Sequence, residues 1–82
     1  MTNEEIKKYL EVEIQDNSNN FVYWWKNWTE TSEEDGKEQI YHICVEWREK
    51  TIELIRIYTD IFYNGSILKS RELRKQYIYN RV

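Results

Sequence analysis

Eighty-two residues, 40% hydrophobic and 33% charged, with a net charge of −3, describe one globular domain over residues 1–82 and exclude a disordered or fibrous chain. No apolar run nears the roughly 20 residues of a membrane span, and Met1-Thr2-Asn3-Glu4-Glu5 lacks the basic start and apolar stretch of a signal peptide. A single cysteine, Cys44, cannot form an internal disulfide, so the expected setting is reduced and cytoplasmic, away from membranes.

Asn3 ahead of Glu4-Glu5 reads as a helix cap with acids in the first turn. Ile6, Tyr9 and Leu10 share one helical face, which predicts a helix of about two turns. Leu10, Val12 and Ile14 then alternate with Glu11, Glu13 and Gln15, the pattern of a half-buried strand. Asp16-Asn17-Ser18-Asn19-Asn20 is turn chemistry. It leads into Asn20-Phe21-Val22-Tyr23-Trp24-Trp25-Lys26-Asn27-Trp28, a predicted strand aromatic on both faces. The uncharged set Phe21, Tyr23 and Trp25 is assigned to the core, leaving Trp24, Lys26 and Trp28 outside.

Thr29 to Lys37 reads as a polar loop carrying Glu33, Glu34 and Asp35 ahead of Gly36. A third strand is predicted from about Gln39 to Arg48, with Tyr41, Ile43, Val45 and Trp47 inward and His42 and Glu46 on the outer face. Between Thr51 and Asn64, Leu54, Ile55, Ile57, Tyr58, Ile61 and Phe62 gather into an arc of roughly 160° on a helical wheel, which predicts a helix; a fourth strand is the alternative. A last helix is expected from Ser70 or a little earlier to about Tyr79. Leu73 and Tyr77 form its apolar edge, with Arg71, Arg74 and Lys75 on the far side.

The assembled expectation is an α+β fold of order α-β-β-β-α-α. It is a three-stranded antiparallel meander with a short N-terminal helix and two C-terminal helices; the alternative is a four-stranded meander with a C-terminal helix. Leu10, Val12, Ile14, Tyr41, Ile43, Val45, Trp47, Ile55, Ile61 and Phe62 should share its core. Six or seven helical residues cannot cover the second face of three strands, so aromatic side chains are expected in the open.

No motif carries chemistry. His42 and Cys44 are two apart with no orienting third group, two His/Cys ligands are too few for structural zinc, and Asp16-x-Ser18-x-Asn20 lacks the glycine and glutamate of a calcium loop. Two glycines cannot build a phosphate loop. Neither catalysis nor a cofactor is expected. Charge is asymmetric: residues 1–38 carry −6, 39–64 carry −1 and 65–82 carry +4, which favours a defined orientation towards a charged partner unless the two ends simply attract each other.

These features point to a non-catalytic protein-binding module. Exposed Trp and Tyr are frequent interface anchors, and the partner-binding set would be Trp24, Lys26, Trp28, Glu33, Glu34, Asp35, His42 and Glu46. The absence of proline and alanine and the abundance of Ile, Asn, Lys, Tyr and Glu follow AT-rich codons. Together with the small size, they suggest an accessory protein of a phage or mobile element that inhibits a host enzyme such as a defence nuclease. In size and element order alone the arrangement resembles some small anti-CRISPR proteins, with no residue motif behind the likeness. Two alternatives stand beside this reading. One is nucleic-acid binding through the aromatics and the basic Arg71, Arg74 and Lys75, which Glu11, Glu13 and Glu46 would oppose. The other is a homodimer that hides the aromatic surplus.

Overall fold

The computed structural model describes all 82 residues, and it contains helices and turns without a strand. Helix α1 spans Asn3–Glu30, α2 spans Lys37–Phe62 and α3 spans Ile67–Tyr77; 3₁₀ turns occupy Glu33–Asp35 and Tyr79–Arg81. The α+β expectation is therefore overturned, and all three predicted strands are helical. Residues 10–15 and 20–28 lie within α1, residues 39–48 open α2, and residues 51–62 continue it rather than forming a separate element. The likeness to small anti-CRISPR proteins rested on the strand order and lapses with it.

The physical reason is visible along α1. Thr2, one residue before the predicted cap, starts the helix: its hydroxyl accepts the Glu5 amide at 3.1 Å, and the Glu5 carboxylate reaches back to the Thr2 amide. No glycine or proline interrupts the chain before Gly36. The Asp16–Asn20 run, poor in helix propensity, is carried through by side-chain bonds within the helix. Asn17 Nδ2 donates to the Glu13 carbonyl at 2.7 Å, Asn20 Nδ2 to the Asp16 carbonyl at 3.1 Å, and Gln15 Nε2 to Asn19 Oδ1 at 2.9 Å. Leu10, Ile14, Ser18, Phe21, Trp25 and Trp28 recur at intervals of three and four, so a helix gathers them on one stripe. Alternation lasted only three beats, and its middle member, Val12, is 49% exposed.

Gly36, at φ +83°, makes the reversal into α2; this left-handed conformation is one that side-chain-bearing residues resist. The two long helices pair antiparallel, and α3 crosses back onto them. One core cluster joins Leu10 and Ile14 of α1, Ile55 and Tyr58 of α2 and Leu73 of α3; the other joins Phe21, Cys44 and Ile78. Between them Ser18, fully buried, donates to the Tyr77 carbonyl and accepts Arg81 Nη1 at 2.7 Å. Of the core expected from sequence, Leu10, Ile14 and Ile55 are buried. Val12, Tyr41 and Ile61 are exposed, and Ile43, Val45, Trp47 and Phe62 are half-buried. No helix is long and apolar enough to cross a membrane.

Candidate interaction site at the hairpin tip

The last turns of α1, the Glu33–Asp35 turn and the first turns of α2 build the tip of the hairpin. Phe21, Trp25 and Trp28 lie at i, i+4 and i+7, so their rings stack along one side of α1 with centroids 6.0 and 5.2 Å apart. Reversal at Gly36 brings Tyr41 to 5.8 Å from Trp28, and His42 follows at 6.1 Å from Tyr41. Lys37 Nζ lies 4.6 Å from the centre of the Trp28 ring, a cation–π contact. Trp28, Glu33, Lys37, Glu38 and Tyr41 line a shallow concavity of about 290 Å³. All four tryptophans are half-buried; none is sealed from water.

The tip is acidic as well as aromatic. Glu30, Glu33, Glu34, Asp35 and Glu38 fall within residues 30–38 against one base, Lys37. The α1 carbonyl end and the α2 amide end meet here with opposite partial charges, so the acidity of the tip comes from its side chains. Ser32 Oγ donates to Asp35 Oδ2 at 2.6 Å, tying the turn to its own cap, and Thr31 Oγ1 donates to the Asn27 carbonyl at 2.6 Å. Glu38 Oε1 stands 3.9 Å from His42 Nε2, with both side chains exposed.

Of the predicted partner-binding residues, the fold gathers Trp28, Glu33 and His42 here, with Glu34 and Asp35 exposed in the adjoining turn. It does not gather the rest. Lys26 is exposed about 160° round α1 from Trp28. Trp24 meets Tyr23 edge-on at 5.3 Å and packs against the second core cluster, and Glu46 is exposed further along α2. A strand put Trp24, Lys26 and Trp28 on one face; a helix separates them. Tyr41, assigned to the core, is instead 40% exposed at the site, and Lys37 and Glu38 join it unforeseen. The readable signal was the 21–25–28 spacing followed by Gly36.

The remaining candidates lie elsewhere. Arg71 and Lys75 are exposed on α3, while Arg74 is half-buried beside Arg56 and Ser70 with its Nε unbonded. Because α3 packs against the cluster of Leu10, Ile14 and Ile55, this basic set is distant from the tip. No ion pair joins the acidic front to the basic tail; Arg81 instead binds Ser18 and Asn19. His42 and Cys44 diverge by about 160° round α2. Cys44 is buried, its thiol directed at the Phe21 carbonyl 3.9 Å away. Burial pushes that thiol's pKa up against the opposing pull of Arg48, so it is held as the unreactive thiol. No three His, Cys, Asp or Glu side chains come together as a metal-binding group. Comparison with known proteins returns no match: no family model fits the chain, no curated protein resembles it in sequence, and no solved structure resembles it in fold.

Proposed function

We propose that this chain is a small non-catalytic module that binds another protein through the hairpin tip, with Trp28 and Tyr41 as anchors and the surrounding carboxylates choosing a basic target. The observation that carries this reading is the half-exposed Trp28 ring, already engaging a cation from Lys37, set in a concavity walled by Glu33, Glu38 and Tyr41. A partner arginine can replace or flank Lys37 on that ring while bonding the carboxylates, which supplies both the aromatic and the charged parts of a hot spot. Basic surfaces of this kind belong to proteins that handle nucleic acid. The compositional bias and small size support a phage or mobile-element protein acting on such a host enzyme.

Capture from host lysate on the immobilised chain, followed by mass spectrometry, tests the reading when run beside a Trp28→Ala/Tyr41→Ala variant. The variant should lose the captured protein while its melting temperature stays within about 4 °C of the parent, because neither residue belongs to a core cluster. Unchanged capture, or a collapse in melting temperature, removes the tip as the binding site. Salt-sensitive binding of labelled oligonucleotides would favour the nucleic-acid alternative instead.

A further inference from the structure

Helix α2 carries two apolar seams, one packed inside the molecule and the other only at its edge. Cys44, Thr51, Ile55, Tyr58 and Phe62 turn inward. One residue behind them, Ile43, Trp47, Lys50, Leu54, Ile57 and Ile61 recur at strict four–three–four–three–four spacing, the repeat of a coiled-coil seam. Ile52, Arg56 and Thr59 share a cavity with Ile67, Ser70 and Arg74, which fixes the side of α2 that α3 covers. The second seam lies about 180° round from that side at about 100° per residue, on the uncovered face of the hairpin. Trp47 and Leu54 touch the core clusters from its edge, whereas Ile43, Ile57 and Ile61 join neither; Ile57 is 38% and Ile61 54% exposed. Lys50 interrupts the apolar series and folds its ammonium over Trp47 at 4.6 Å.

We propose that this face binds a second copy of the chain, α2 against α2 in antiparallel register about a twofold axis at the level of residue 52. Two observations identify the occupant. The seam pairs with itself under that rotation: Ile43 meets Ile61, Trp47 meets Ile57 and Lys50 meets Leu54, each pair occurring twice, as an isologous interface requires. The monomer is also too extended for its mass. Its radius of gyration is 14.4 Å against about 11.7 Å for a compact chain of this length. It exposes 5843 Å² against about 5,400 Å² expected at 10.3 kDa. Relative to compact chains, two copies together carry a surplus of about 900 Å², against the roughly 1,200–2,000 Å² that a standard interface buries. The pairing covers Trp47 and leaves one aromatic tip free at each end, so the dimer is bivalent towards a target.

The rim sets the salt response. Glu46, Glu53 and Asp60 flank the seam at seven-residue spacing, offset by Lys50 and by Arg56, which holds Glu53 at 2.9 and 3.0 Å. Like-charged faces repel, and salt screens them. Sedimentation equilibrium of the full chain from about 5 to 500 µM should show a monomer–dimer equilibrium that tightens between about 50 and 500 mM NaCl. Ile57→Asp should weaken it at least ~100-fold, because each dimer loses two buried isoleucines and gains two carboxylates in an apolar seam. Lys50→Leu should tighten it about tenfold by completing the apolar series. Should Ile57→Asp lose helicity by circular dichroism, Ile61→Asp at the more exposed position and Lys50→Leu carry the test. A chain that stays monomeric throughout leaves the seam to some other partner and overturns the proposal. So does a dimer indifferent to the seam variants, a dimer that salt dissolves, or growth into larger assemblies.

Discussion

Ser18 shows how one small side chain can hold distant parts of a chain together. A bulkier residue at this fully buried position would push the C-terminal turn off α1, and an apolar one would strip the Tyr77 carbonyl and the Arg81 guanidinium of a partner. Ser18→Ala should cost about 1–3 kcal/mol, the penalty for leaving a buried acceptor unsatisfied. Urea denaturation would measure it, with faster amide exchange at residues 78–81 as the local sign. Cys44 offers a second test at this scale. Its buried, protonated thiol should react with alkylating reagents at least ~100-fold more slowly in the folded protein than in urea, because reaction waits on opening. Rapid labelling of the native chain would mean that the Phe21–Cys44 packing is absent.

At the scale of elements, α1 places five turn-favouring residues in the middle of a 28-residue helix. Each of Asp16 to Asn20 costs a few tenths of a kcal/mol relative to alanine, and the helix persists because Leu10, Ile14 and Phe21, either side of the run, are buried with Ser18 on one stripe. Asn20 is exposed and bonds only to the carbonyl one turn back. Asn20→Ala should therefore raise stability by about 0.5 kcal/mol. A loss instead would indicate a real turn at this point, as the local pattern suggests. The capping box gives the complementary prediction: Thr2→Ala should lower stability by about 1 kcal/mol and fray the first turn.

For the whole molecule, 48 Å long, two core clusters hold eight buried residues, and 11 residues are buried in all, few for 82. Stability therefore depends on a small number of contacts, and Tyr58 is prominent among them. It packs against Phe62 and Tyr63 with ring centroids 5.3 and 5.7 Å away. Burial above all, then a hydrogen bond with Tyr63 and the negative charge of Glu11, pushes its phenol above the ordinary value of 10.0. The folded state thus keeps a proton that the unfolded chain gives up near pH 10, so stability should be intact below that pH and fall as pH rises beyond it. Tyr58→Phe should flatten the fall, measured as the melting temperature between pH 8 and 11.

Some of this protein was present in the amino-acid order. The aromatic surplus, the acid run from Glu30 to Glu38, the basic tail and the four–three spacing of α2 can all be read there, and none depends on the fold. Helix against strand was not decided locally. Tyr, Trp, Phe and Ile favour strands by shape, and a segment apolar on every side satisfies a period of 2 and a period of 3.6 alike. Tertiary packing settled it: only a helix brings Leu10, Ile14, Phe21, Trp25 and Trp28 onto one stripe long enough to meet its counterpart on α2. The same packing decided which aromatics share a surface, because a helix disperses the set Trp24, Lys26 and Trp28 that a strand would align. It replaces that set with Trp28, Lys37 and Tyr41, neighbours that the reversal at Gly36 brings together.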